Sequence, residues 1–331
     1  MESSFSNNVS KMRVVGRNCA GIIICLLGLG LFPFFVSHYW IRLFTAIFMY
    51  AALAQSTNIL MGFSGLVPFG NVVFFGMGAY ITGMVMLYWK LPFFAALLTA
   101  ALSCAAFTLI IGHPILKLQG HYFAIATMGI SEAMRQIVSN LEITGGGMGL
   151  NLPMVRLGVV KSYYLFYFLM LLVMIVVTVV TYIASRSRIG FALRAIMANE
   201  AGARSLGINT AYYKVIGWAI SAFFTGAVGG IFAYWYSYID PSSVFDIVIA
   251  VRFIIMILLG GAGTIIGPII GAFFIELLTE SVWSKFLSFH LGVLGTIIVL
   301  IVIFMPKGFV WWYRQRFSLH ALLSNVRKSS I

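Results

Sequence analysis

The sequence predicts an all-α fold, a polytopic transmembrane helical bundle of about ten spans with both termini cytoplasmic. Three observations predict it. Of 331 residues, 61% are apolar and only 9% charged, whereas a soluble chain carries roughly 25% charged residues. The mean hydropathy is +1.02, and a water-soluble domain of this size could not cover that much apolar surface. The few charges bound intervals of about 20 apolar residues, the length that crosses a hydrocarbon core. Disorder, a disulfide scaffold, a coiled coil and an ordinary soluble enzyme are excluded on the same grounds.

The spans follow in order. Residues 18–36 form the first, between Arg17 and Arg42. No charge occurs between Arg42 and Lys90, an interval that holds two spans, 43–61 and 66–89, separated by Gly62-Phe63-Ser64-Gly65. Residues 91–111 make the fourth, opened by Pro92, and 120–138 the fifth, which contains Glu132 and Arg135. The sixth is 163–184 and the seventh 215–236. Residues 246–259 and 267–282 are a pair split by Gly260-Gly261-Ala262-Gly263, and 289–305 is the tenth. The chain thus divides into an N-terminal tail (1–17), a membrane domain (18–306) interrupted by a polar loop (185–213), and a C-terminal tail (307–331). The basic N-terminus before an apolar run resembles a signal peptide, but no small-residue cleavage site closes the run, so an uncleaved first span is expected.

An even span count puts both tails on one side, and basic residues say which. Fourteen of the 21 Lys and Arg fall in the tails, in the loop after the sixth span through Lys214 and at Lys117, against five on the other side. The net charge of +13 therefore reads as cytoplasmic flanks rather than nucleic-acid binding. Aromatic pairs such as Tyr39-Trp40, Tyr88-Trp89 and Trp235-Tyr236 fall at the expected interfaces.

Motifs for covalent chemistry are absent from the sequence. It has no Gly-Lys-Ser or Gly-Lys-Thr phosphate loop and no His-Glu-x-x-His, and its five histidines are scattered. Cys19, Cys25 and Cys104 lie in apolar runs without metal spacing and read as buried thiols. No catalytic, metal-binding or cofactor-binding residue is assigned, and no enzyme activity is expected of this chain.

Glycine and in-span charge carry more information. Gly226-x-x-x-Gly230 and Gly267-x-x-x-Gly271 have the spacing that lets helix backbones touch, and tight packing is the favoured reading. Gly and Pro at 62–71 and again at 260–268 are dense enough to end or unwind helices. They are either simple turns or irregular backbone at membrane depth, which is tolerated only inside protein or beside a cavity. Glu132 and Arg135 share a helix face and either neutralise each other or serve a pathway. Arg252 either pairs with Glu276 or presents charge to an anionic substrate group, pairing being preferred. Glu276 and Glu280, four apart, are the best coupling-ion candidates should the chain be a secondary transporter working alone. In the polar loop, Phe191 to Arg204 is expected to be one amphipathic helix, capped by Gly207, with Leu193, Ile196, Met197 and Glu200 on one face. Such a helix lies on lipid or docks in a protein groove, and a carboxylate on the apolar face favours the groove.

That loop, with Glu200-Ala201-Gly202 followed by Gly207, resembles the coupling motif of ABC importer permeases, specifically the LivM-like permeases of branched-chain amino-acid importers. Four further stretches are similar to the same family: 62–65 through 74–80, 119–127 continuing to Glu132, 144–150, and 260–272. The resemblance runs from about residue 43 to 305. It implies a membrane permease subunit in the bacterial inner membrane, paired with a second, usually shorter, permease. Two cytoplasmic ATPases and a periplasmic or lipoprotein substrate-binding protein complete the assembly. Arg194, Glu200, Ala201, Arg204 and Gly207 would couple to the ATPase, and Asn71, Phe75, Tyr122, Thr127 and Glu132 would line the translocation path. Glu142, Arg156 and Asp240 would meet the binding protein. Branched-chain amino acids are the family default, and urea, short amides, other amino acids and sugars are carried by relatives. Pro68, Asn71, Gly202 and Arg252 depart from the family pattern and bear on substrate more than on fold.

Overall fold

The computed structural model describes residues 27–118, 120–153, 158–283 and 295. The expected tenth span apart from residue 295, residues 18–26 of the first and both tails lie outside the described residues. Within them the chain is helical almost throughout: α1 (His38–Ser64), α2 (Asn71–Tyr88), α3 (Phe93–Ile115), α4 (His121–Asn140), α5 (Val159–Arg186), α6 (Arg188–Ala198), α7 (Glu200–Ser205), α8 (Thr210–Tyr236), α9 (Pro241–Val244), α10 (Ile247–Gly260) and α11 (Gly267–Trp283). Six segments are long and apolar enough to cross a membrane: α1, α2, α3, α5, α8 and the combined 241–260 stretch. Two expected spans do not meet that standard. The α4 helix carries Ser131, Glu132, Arg135, Gln136 and Asn140 along 20 residues, and α11 has only 17.

Most boundaries extend the expected spans by a few residues at either end. At the first glycine block α1 continues three residues past its expected end, through Gly62 and Phe63 to Ser64, and α2 starts five residues late, at Asn71. The helix stops because Gly65 takes a left-handed φ of 74° while its N–H still bonds Met61 O, a conformation that glycine adopts without steric penalty. The α3 helix accommodates Pro114 because it lies in the last turn, where the helix is already ending.

The α1 helix is the central element. From Phe48 to Ser64 every residue is buried, as an apolar helix enclosed on all sides must be. Around it pack α5, α8, α10 and α11, while α2 and α3 close on α8. At one end the short antiparallel pair β1 (Leu150–Asn151) and β2 (Tyr238–Ile239) ties the 141–153 loop to the segment after α8. We call this the hairpin end and the opposite one, carrying α6 and α7, the loop end.

Small residues set the closest approaches. A Cβ on Gly78 of α2 would run into the backbone carbonyl of Gly226 on α8, and one on Gly229 into the carbonyl of Phe75. Gly230 abuts Thr82 and Leu97, and Gly271 of α11 sits against Met256 O of α10. Both small-xxx-small patterns thus serve packing. A Gly78→Val substitution is expected to destabilise the bundle by about 3 kcal/mol or more, because backbone and not a movable side chain stands in the way. Gly129→Val, where the added atoms meet nothing within 4 Å, should stay within about 0.5 kcal/mol of wild type. Thermal unfolding of the purified proteins in detergent checks both.

Candidate functional site

The two glycine-rich breaks, 198 residues apart in sequence between Gly62 and Gly260, meet in space. Asn58, fully buried on α1, donates through Nδ2 to Thr264 O at 2.8 Å and accepts from Gly263 N–H through Oδ1 at 2.9 Å. The second break thereby has a donor and an acceptor satisfied by one side chain. Thr264 Oγ1 adds a cap, donating to Gly261 O and accepting from Gly267 N–H at the start of α11. Gly62 lies directly against Gly263, with no room for a Cβ on either. The first break is roofed by α4, because Gly70 rests on the backbone carbonyl of Thr127. The second break's backbone groups are thus met from within the protein, while Gly65, Ala262 and Ile266 stay exposed.

A second buried polar cluster joins α1, α2 and α8. Asn71 Nδ2 donates to Thr57 Oγ1 and to Ser221 Oγ, each at 2.9 Å, while its Oδ1 accepts from Trp218 Nε1 at 2.8 Å. Ser56 and Thr225 share a hydrogen bond at 3.0 Å one turn away. These bonds fill three of the four sites of the Asn71 amide. The side chain is an interhelical junction buried in the core.

The five candidate path residues are divided between two environments. Asn71, Phe75 and Thr127 are buried, Phe75 with its ring 5.0 Å from that of Phe232. Tyr122 and Glu132 instead lie on the outer face of α4, Tyr122 being 76% exposed. Glu132 is held by its neighbour: Arg135 Nε donates to Oε2 at 2.9 Å and Nη2 to Oε1 at 2.5 Å, and Gln136 adds a bond at 2.9 Å. Mutual neutralisation of this pair is what the structure shows. It lines an open groove between α4 and the start of α10, together with Ser131 and Asp246.

In the bundle interior Arg252 of α10 lies 3.9 Å from Glu276 of α11 and donates to Tyr50 OH at 3.2 Å. The preferred pairing with Glu276 is thus present. Glu280, the other coupling-ion candidate, accepts from Tyr39 OH at 2.6 Å. Among the described residues no group of three His, Cys, Asp or Glu could hold a metal.

The loop end departs from expectation. The helix expected over 191–204 is broken in two, because Asn199 takes an extended backbone and its side chain accepts from Gly202 N–H at 2.9 Å. An N-cap residue inside a helical pattern starts a new helix rather than continuing the old one. Ser187 caps α6 in the same way through Ile189 N–H. Gly207 ends α7 at φ 82°, with Ile208 N–H on Ala203 O and Gly207 N–H on Arg204 O, the paired bonds of a Schellman motif.

Of the five coupling candidates, two turn inward. Glu200 Oε1 meets Lys214 Nζ at 2.6 Å, Lys214 being 1% exposed at the start of α8. Arg194 donates to Ser185 O at 2.6 Å and stacks over Phe63 of α1. Ala201, Arg204 and Gly207 face outward, with Met197 and Leu206 beside them. Of the docking candidates, Glu142 is exposed, Asp240 caps α9 through Ser243 N–H, and Arg156 lies outside the described residues.

Sequence reasoning missed Asn58, Ser221, Trp218 and Lys214. The signal available for the first was Gln55-Ser56-Thr57-Asn58, four consecutive polar residues inside an apolar span.

These features define a multi-pass helical membrane protein with a rigid interior and an outward-facing helical elbow between two spans. A family model described as branched-chain amino acid transport system / permease component matches residues 39–303, and the chain belongs to that family. It is 28% identical, over 325 residues, to the high-affinity branched-chain amino acid transport system permease protein LivM of Escherichia coli K12, covering 90% of this chain and 76% of that protein. The Salmonella typhimurium LivM is likewise 28% identical over 314 residues, covering 87% and 73%. No solved structure matches the chain.

The Asn58 bridge yields a prediction. Asn58→Leu keeps the volume but strands Gly263 N–H and Thr264 C=O in an apolar surround. Each stranded group costs roughly 1–3 kcal/mol, reduced by the weaker values measured in membrane proteins. A net loss of about 2 kcal/mol is expected, read as a lowered unfolding temperature with unchanged membrane insertion.

Proposed function

We propose that this chain is the membrane permease subunit of an ATP-driven importer of branched-chain amino acids, in the bacterial inner membrane with the loop end cytoplasmic. The observation that carries the reading is the α6–α7 elbow. It is built into the bundle at its base, by Leu193 and Ile196 against Phe63 and by Glu200 on Lys214, and offers Met197, Ala201, Arg204 and Leu206 to a partner. The chain has no phosphate loop of its own, so the energy is supplied by a separate pair of ATPases that seat on this elbow. A second permease completes the pore and a binding protein delivers the amino acid at the hairpin end.

The mechanism on this reading is mechanical. Movement of the ATPases displaces the elbow as a rigid body. Because Lys214 belongs to α8 and Arg194 grips the end of α5, the displacement is transmitted to both spans and biases inward- against outward-facing states. Glu200 thus acts inside the permease, joining elbow to span, rather than as a contact to the ATPase. The alternative of a gradient-driven transporter is less favoured, because Arg252 stands 3.9 Å from Glu276 and Tyr39 OH donates to Glu280 at the candidate ion site.

The test is ATP-dependent uptake of leucine, isoleucine and valine into vesicles holding this chain with its permease partner, ATPases and binding protein. Glu200→Lys and Lys214→Glu should each lower uptake by about an order of magnitude at normal insertion, because each leaves an unpaired charge at a buried position. The double exchange should recover much of it. Uptake by this chain alone, driven by an ion gradient, would overturn the reading.

A further inference from the structure

Resting on the permease reading, we infer that the groove between α4 and the α9–α10 turn is a binding site for a zwitterionic amino acid with an apolar side chain. The cavity measures about 460 Å³, large enough for one such molecule with accompanying water. Apolar and charged groups alternate along both of its walls: Met128 lies on the α4 face of Glu132 and Arg135, and Phe245 and Ile247 flank Asp246 on the other. The charges are the Glu132–Arg135 pair on α4 and Asp246 at the α10 N-cap.

The arrangement matches the ligand group by group. A guanidinium binds a carboxylate through two parallel N–H groups, and Arg135 is 32% exposed with its donors at the groove. An ammonium needs carboxylates, and Glu132 and Asp246 supply two, Glu132 being 57% exposed. The pair is already formed without ligand, so an amino acid exchanges one ion pair for two, with no isolated charge left behind. Ser131, only 3% exposed, also lines the groove, and its Oγ has no hydrogen-bond partner. A buried hydroxyl left unpaired on the wall of a groove marks a place where a further polar group belongs. Met128, Phe245 and Ile247 beside these charges then take the aliphatic side chain. Glu132 and Arg135 lie in the half of α4 nearer the hairpin end, beside the α9–α10 turn, where delivery from outside would occur.

The test uses the full-length chain in lipid nanodiscs, with Cys19, Cys25 and Cys104 replaced by alanine and Ser242→Cys as reporter, an exposed position on the groove rim. Leucine at millimolar concentration should slow maleimide labelling several-fold. Leucinamide, which lacks the carboxylate, and 4-methylpentanoate, which lacks the ammonium, should not. Arg135→Gln should abolish protection, and leucine should raise the unfolding temperature of the wild type but not of that variant. The site is overturned if leucine gives neither protection nor thermal shift, if leucinamide protects equally, or if protection survives Arg135→Gln. It is also overturned if the second permease blocks labelling regardless of leucine, which would make the groove a subunit contact. ATP-driven uptake without protection would sink this site alone; protection without ATP-driven uptake would sink the importer reading and keep the site.

Discussion

A helix broken inside a membrane must have its freed backbone groups satisfied by protein, because hydrocarbon offers no hydrogen bonds. In this fold that requirement is met chiefly by one amide. Asn58 closes the second glycine break with one donated and one accepted bond, and can do so because Gly62 and Gly263 allow α1 to lie against the break without side chains between them. The position of α1 at the centre of the bundle follows. It must reach the α10–α11 break on one face, α8 through Ser56 and α2 through Thr57 on others, so it cannot border lipid over that stretch.

The same economy commits much of the interior polar chemistry to packing, although Gln55, Tyr80, Thr82 and Glu276 keep buried polar atoms with no hydrogen-bond partner. Asn71, Ser56, Thr57, Ser221 and Trp218 are committed to one another across three helices, and Arg252 is held by Tyr50 and Glu276. Groups that fix the packing of α1, α2 and α8 are not free to exchange bonds with a passing solute without loosening that packing. On the proposed reading, function lies at the faces: the groove beside α4 and the elbow at the loop end. Both places carry partly exposed charges able to find new partners.

Helices and their ends were largely legible, because apolar run length and charge position are direct readings of membrane depth. What sequence alone could not supply was which faces meet. The spacing of Asn71 in its span is compatible with a pore or a core, and only the approach of Trp218 and Ser221, about 150 residues later, decides for the core. The elbow was misread for a local reason. Alanine-rich composition argued for one helix over 191–204, but Asn199 carries its own hydrogen-bonding alternative and restarts the chain. That restart turns Glu200 away from the face of Leu193 and toward Lys214, a residue that charge counting had placed in the loop and that the structure buries.

The Lys214–Glu200 pair also argues for how force passes through the molecule. A buried ion pair contributes little net stability, since desolvation offsets attraction, but breaking it by moving one partner alone is strongly unfavourable. It therefore behaves as a rigid link: elbow and α8 move together or not at all. Arg194 supplies a similar link to α5 through Ser185 O and to α1 through Phe63. Three spans converge on one short segment in this way, so a push there is distributed over α1, α5 and α8 instead of being absorbed in a flexible loop. α4, which bears the groove, reaches this framework by way of Thr127 under Gly70 and the first glycine break after α1. On the proposed reading, that contact is the physical route by which events at the loop end alter the groove nearer the hairpin end.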